Sequence, residues 1–549
     1  METYNIADTL RIMAERAPFR CAIVLPAGRT SNGRAKYTQF SFQQLNQECD
    51  AYAHGLTRCG ICQGQRVLLL IHPGIELIAV TFALIKMGAV PILIDPGMGR
   101  KAFLQCVAES EPAAFIGIPA AHFLRILFPK AFKTVDHVIT VGRRWGWGGK
   151  TLDEVRNNTN SPFQSASTTT ESEAAVTFTS GSTGIPKGVV YSHGMFKAMI
   201  DLLRDEIGIQ EGEIDLPGLY IFALLDPALG VTAVMPDMDP TKPAKVNPAF
   251  LVEAIQTFGV TMSFGSPTIW KRVNHYCHEN DIRLLSMKHI FMAGAPVPPS
   301  LISEFSSILP NGEIFTPFGA TEALPITNIS AGEILAQTAA LSDAGGGVCV
   351  GRVTSGNTIR IIRIIDEPIL EWDQGLVVPQ GEVGEIVVKG GVVTRLYLNR
   401  PKQTAAAKIT DQDGIWHRMG DLGYFDEKGR LWVCGRKAHR LETVNGLMLP
   451  DPCEAIFNHH PHVARTALVG VGKKGKQEPV LVVEPLPSRM PSSKQQREKF
   501  IGELRSLGSA HAQTRSIQRI LFYPSFPVDV RHNVKIQREK LAVWAGKQI

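Results

Sequence analysis

The sequence predicts an α/β fold. It reads as a large N-terminal domain of mostly parallel α/β sheets with a small β-rich subdomain, followed by a small α+β C-terminal domain. Three observations carry this. Apolar β runs alternate with helical patterns from Arg66 to about residue 350, the chain then turns to short β runs without helices between them, and residues 436–549 carry their own α and β patterns with a basic end. The chain has 549 residues. A single core stops growing at about 250–300 residues, so at least one internal boundary is expected.

The first unit is RVLLLIHPGIELIAVTFALIKMGAVPILID, from Arg66. A β run over 66–71 is followed by a 3.6-period stretch over 75–87, with Gly88 where a helix C-terminal stop belongs, and then by a second β run over 89–94. Both runs are apolar on both faces, as buried parallel strands require, so this is a βαβ unit. Similar runs recur at 113–118, 137–141, 174–180, 261–266 and 289–294, with helical patterns at 192–208, 247–258 and 298–309. The β runs 357–365, 384–390 and 430–435 mark the β-rich subdomain, placed at about 350–435.

Composition excludes several classes. Hydrophobic residues make up 44% and charged residues 20%, which rules out a disordered chain. Lys plus Arg is 57 against 51 for Asp plus Glu, and an excess of +6 is too small to imply nucleic-acid binding. The most apolar region, 67–95, is broken by His72, Glu76 and Lys86, short of the roughly 18 uninterrupted residues a membrane span needs. The N-terminus carries Asp8 and Glu15 and has no apolar secretory core, and the nine Cys are odd in number and widely spaced. Both features point to the cytoplasm. Cys59 and Cys62 form a CxxC without a second pair at zinc-ribbon spacing, and His275 and His278, on a helical, partly apolar stretch, and the NHHPH run at 458–462 read as structural rather than metal-binding. The segment RRWGWGGK at 143–150 reads as a surface loop, with a lip for a lipid substrate as the functional alternative.

The strongest chemical signal is TFTSGSTGIPKGVVYSH, 177–193. Thr179, Ser180, Gly181, Ser182, Thr183 and Gly184 directly follow a β run. Small residues there let the backbone approach a polyphosphate, and consecutive N–H groups form an anion nest. Lys187 adds a compact positive charge. Pro186 before the lysine and Gly188 after it distinguish the loop from the mononucleotide P-loop.

This loop resembles the phosphate-loop signature of the acyl-adenylate-forming superfamily, which includes acyl-CoA synthetases, peptide-synthetase adenylation domains and firefly-type luciferases. Four further segments match the family in order. In AGAPVPPSL, Gly294, Ala295 and Pro296 match the segment along the adenine. In TPFGATE the resemblance assigns Phe318 to adenine stacking, with Gly319 and Ala320 beside it, Thr321 to the phosphates and Glu322 to Mg²⁺. In GDLGYFDEKGRLWVCGRK, Asp421 matches the ribose ligand and Arg436 a second ribose and phosphate contact. In PVDVRHNVKIQREKL, Lys535 matches the lysine that bridges substrate carboxylate and α-phosphate as charge builds at phosphorus. The resemblance therefore implies ATP and Mg²⁺ as cofactors, and Lys535, Thr321 and Glu322 as catalytic residues. It also implies an adenylation domain over 1–435 and a mobile lid over 436–549 that carries the lysine.

Two departures bear on the second half-reaction. Ala438 stands where acyl-CoA synthetases have an Asp or Lys hinge, and the LPDPCEAIF that follows Gly446 is one residue short of their usual pattern. Both weaken the expectation of thioester formation. The segments FALLDPALG and IDPGMG, with the C-terminal PVDVRHNVKIQREKLAVWA, resemble the β-lactone synthetases of bacterial long-chain olefin biosynthesis. That resemblance implies activation of a 2-alkyl-3-hydroxy fatty acid as its acyl-AMP, then attack by the substrate's own hydroxyl. Ala223 reads as leaving room in the acyl pocket, with ordinary helix packing as the alternative, and His193 and His532 lie near the motifs as candidate bases. A fatty acid–CoA ligase, or an acyl-AMP ligase serving a carrier, is the alternative function. A non-catalytic nucleotide-binding protein is the remote one, since a decayed site should have lost one of its charges. The expected partner is the fatty 3-hydroxy acid substrate, with no nucleic acid and no transmembrane segment. A homodimer and assembly with other olefin-pathway enzymes fit the same reading.

Overall fold

The computed structural model describes residues 3–157, 161–178, 186–239, 241–528 and 536–549. Two seven-stranded sheets make up the first part of the chain. In one, the strands run in the order Lys150–Thr151, His137–Thr140, Ala114–Gly117, Arg66–Leu70, Val90–Leu93, Glu173–Phe178 and Gly188–Ser192. All its pairings are parallel except the last. The other runs Glu313–Phe315, His289–Met292, Met262–Gly265, Ile214–Asp215, Thr232–Val234, Cys21–Arg29 and Ala35–Ser41. It too is parallel save for its closing hairpin.

The βαβ unit forms as its periodicity predicts. The helix Ile75–Lys86 ends in Gly88 at φ +70°, a left-handed backbone that glycine adopts without a steric penalty. Residues 78–86 of this helix are all buried, Lys86 included. The Lys86 ammonium is held by Asp50 Oδ1 at 2.5 Å and Asn46 Oδ1 at 2.7 Å, which is how a charge survives in an apolar core.

An eight-stranded sheet follows, antiparallel throughout. It begins at Phe318–Ala320, not near 350 as the change of sequence texture suggested. The early strand Phe318–Ala320 lies within the TPFGATE segment, whose glycine and proline hide a β pattern, and Ala323–Asn328 follows it directly. From Leu441 onward, a hairpin and the sheet Val463–Val471, Glu478–Pro485, Arg519–Phe522 pack with helices Pro450–Asn458, Lys494–Ser509 and Arg538–Gly546. Phe457, Leu468, Leu481 and Phe500 give this part its own core. Among the described residues no helix is long and apolar enough to cross a membrane.

Candidate active site

One cavity of about 2870 Å³ opens between the sheets and the C-terminal segment. Lys187, Gly294, Ala295, Pro296 and Phe318–Glu322 line it, together with Asp421 and Arg436. Chain segments more than two hundred residues apart in sequence thus share one wall, as ligand sites at the carboxyl ends of parallel strands do. Thr179, Ser180, Gly181, Ser182, Thr183, Gly184 and Lys535 lie outside the described residues, as does His532.

Glu322 is 9% exposed and is anchored through both side chain and backbone. The Tyr397 hydroxyl donates to its Oε1 at 2.6 Å, and the Thr394 amide and hydroxyl donate to its carbonyl at 2.8 and 3.0 Å. Tyr191 donates to the carbonyl of Thr321 at 2.6 Å. The Lys187 ammonium lies 4.2 Å from the centroid of the Tyr397 ring, a cation–π contact. Burial pulls Lys187 below the usual lysine range, and the Glu322 charge opposes it. Sequence reasoning missed Tyr397, which stands between Leu396 and Leu398 and reads as an ordinary apolar position.

A second lysine was also missed. Lys408 is buried and its ammonium donates to the Thr394 carbonyl and, at 3.0 Å, to the Thr394 hydroxyl. Burial pushes it down to about 7, against the pull of Glu322. His417, also buried, is held neutral well below the usual histidine range, first by burial and then by Lys408. Asp421 and Arg436 are register partners on adjacent strands, with Arg436 Nε 3.3 Å from Asp421 Oδ1. Gly294 sits at φ +90° with nothing within 4 Å of where a Cβ would stand. Its backbone therefore leaves open space over this part of the cavity.

The rest of the cavity wall is apolar. Phe196, Met199, Leu203, Phe222, Leu225 and Phe264 line it, and the Phe222 and Phe264 rings pack with centroids 4.3 Å apart. Ala223 is not part of that wall. It is 3% exposed and packed into the main core, so the space it was read as leaving is bounded by Phe222 instead. His193 does not line the cavity either. Its Nδ1 accepts from the Ile6 amide at 3.1 Å, and burial pushes it down to about 4. Among the described residues no group of three or more His, Cys, Asp or Glu could hold a metal. Cys59 caps the helix Phe42–Arg58, and His460 packs on Phe500 with centroids 4.8 Å apart. Trp147 donates to the Thr140 hydroxyl at 3.0 Å and stacks on His122.

A family model described as AMP-binding enzyme matches residues 13–398. An olefin beta-lactone synthetase of Xanthomonas campestris pv. campestris is 46% identical over 552 residues, 99% of this chain and 98% of that protein. An olefin beta-lactone synthetase of Stenotrophomonas maltophilia is 46% identical over 554 residues, with the same coverage of 99% and 98%. Among solved structures, an anthranilate CoA ligase, AuaEII, in complex with anthranoyl-AMP superposes with a TM-score of 0.78 at 19% identity, covering 100% of this chain and 98% of that one. At that identity the likeness speaks for the fold alone. The family match spans both parallel sheets and the start of the antiparallel one, and two relatives match almost end to end, so this chain belongs to the AMP-binding enzyme family.

Proposed function

We propose that this protein uses ATP to activate a long-chain 2-alkyl-3-hydroxy fatty acid as its acyl-AMP, and that the acid's own 3-hydroxyl then closes a β-lactone, releasing AMP after pyrophosphate. The observation that carries this is one continuous cavity with a charged arm and an apolar arm. The charged arm suits a nucleotide and the apolar arm an alkyl chain. The two olefin beta-lactone synthetases at 46% identity support the ring-closing step.

In this reading Lys187 and the loop Thr179–Gly184 hold the polyphosphate, and Thr321 contacts the phosphates. Phe318, with Gly319 and Ala320, presents an apolar face to the adenine, and Gly294, Ala295 and Pro296 lie along its edge. Asp421, oriented by Arg436, takes the ribose hydroxyls. Glu322 suits Mg²⁺, which prefers oxygen ligands and commonly takes one carboxylate plus substrate phosphates. When bound, the ion would neutralise charge on the departing pyrophosphate. Lys535, carried by a mobile lid over 436–549 that closes on the domain 1–435, is the cation for the pentavalent phosphorus. Because the hydroxyl is tethered, the protein's task after adenylation is to fold the chain into a near-attack conformer and exclude water. All nine cysteines are unpaired, which supports a reducing, cytoplasmic setting.

The test is a product assay with Mg²⁺, ATP and a synthetic 2-alkyl-3-hydroxy acid, with and without CoA, read by proton NMR and mass spectrometry. A β-lactone and AMP formed without CoA are expected. An acyl-CoA that forms only with CoA would replace this reading with that of a ligase.

A further inference from the structure

We propose that Asp215 and Asp226 form a carboxyl pair in the acyl arm that binds the substrate's 3-hydroxyl and takes its proton as the lactone ring closes. The inference rests on the function proposed above and assigns the hydroxyl a site.

Both residues line the cavity, beside Met199, Leu203, Leu225 and Leu229. Asp215 ends the short strand Ile214–Asp215, in register with Met262 at the start of the neighbouring strand Met262–Gly265, and Asp226 opens the turn Asp226–Leu229. Each is only 2% exposed. Asp215 Oδ1 and Asp226 Oδ2 have no hydrogen-bond partner among the described residues. Neither carboxyl pairs with a described cation, in contrast to buried Asp50 with its Lys86 and buried Glu385 with its Arg418. Two unpaired acids in an apolar wall are costly to bury, and a chain that needed only packing there would gain from apolar side chains.

The chemistry of the pair matches a hydroxyl. Two carboxyls that feel each other's charge away from water cannot both ionise, so the pair retains a proton. Burial pushes Asp215 up to about 8, and raises Asp226 with the charge of Asp215 added, so the pair holds both protons at neutral pH and one proton above about pH 8, where the second carboxyl becomes the acceptor. A pair holding one proton offers one donor and several acceptor positions. A hydroxyl both donates and accepts, so it can satisfy the two together. In the ring-closing step the hydroxyl oxygen bonds to the acyl carbon, and the bond from that carbon to the phosphate oxygen breaks. AMP leaves with the electron pair, and the hydroxyl proton passes to the ionised carboxyl. Placing the acceptor in an apolar arm also keeps water from competing for the acyl-AMP.

The test uses Asp215→Asn and Asp226→Asn, each isosteric and each removing a buried ionisable group. Pyrophosphate release and lactone are measured side by side, with the 2-alkyl-3-hydroxy acid and with the same acid lacking the hydroxyl. The expected result is unchanged adenylation of the deoxy acid with lactone per pyrophosphate reduced at least about tenfold, and released acyl-AMP or its hydrolysis product in place of lactone. Lactone per pyrophosphate equal to wild type in both variants would overturn the inference. So would equal loss of adenylation for both acids, which marks the pair as structural. A wild-type enzyme that makes no lactone at all counts against the function itself, and is thereby told apart from a failure of the pair.

Discussion

Replacing Tyr397 by Phe removes one hydrogen bond from the candidate site and leaves the ring in place. The phenol donates to Glu322 Oε1 at 2.6 Å, a length typical of a charge-assisted O–H···O⁻ bond. Burial, followed by the nearby Glu322 charge, raises the phenol far above its ordinary range, so it remains a donor at every working pH. The ring contact with Lys187 at 4.2 Å survives the change. Hydrogen bonds to charged groups contribute about 1.5–3 kcal/mol. If Glu322 must be held for the phosphates to be held, that range corresponds to a fall of about 10- to 150-fold in kcat/KM. The assay is pyrophosphate release under a full titration of Mg²⁺ with ATP, beside a thermal melt. The Phe variant should melt near wild type and need more Mg²⁺. Activity within about threefold of wild type at every Mg²⁺ concentration would refute the reasoning, because the bond would then contribute less than about 0.7 kcal/mol.

Lys408 sets a pH dependence. Its folded form gives up its proton at about 7 while the unfolded chain holds one to about 10.4, so between those limits the unfolded state binds more protons and stability rises with pH. Lys408→Met should abolish a slope of up to about 1.4 kcal/mol per pH unit, seen by comparing melts of the two proteins near pH 7 and near pH 9. Lys187→Ala should reduce adenylation by at least about a hundredfold with little change in melting, as expected for a cation aimed at phosphate; pyrophosphate exchange reads it. Phe222→Ala should widen the acyl arm by removing one ring of the Phe222–Phe264 pair, shifting preference toward bulkier acids in a chain-length series. Asp366 pairs with Arg440 at 2.7 Å and also with Lys474, tying the C-terminal segment to the antiparallel sheet. Asp366→Asn should therefore speed proteolysis around residues 436–440 at low salt and less so at high salt.

Much of the fold was legible because its signals are local. The βαβ unit at 66–94 announced itself through apolar runs of the right length and a glycine at the helix stop, and the strand Glu173–Phe178 through its place before a glycine-rich loop. The strands Ile214–Asp215 and Thr232–Val234 were not legible. Two or three residues carry no periodicity, and those segments are strands only because neighbouring strands offer them partners. The onset of the antiparallel sheet at Phe318 was hidden by the glycine and proline around a strand of only three residues. The nucleotide-site candidates were found through their order along the chain. Tyr397 and Lys408 were not, because a lone tyrosine or lysine gains meaning only from what it touches.

The sequence by itself determined the α/β class, the order of its elements and the residues of the nucleotide motifs, since each is written in contiguous spacing. Tertiary structure alone decided which groups share an environment. It brings Tyr397 to Glu322 and holds Lys408 away from water. It also leaves Asp215 and Asp226 together without a cation and turns Ala223 into the core while Phe222 meets the cavity. Burial and electrostatic coupling depend on distances between residues far apart in the chain, and those distances exist only once the sheets have packed.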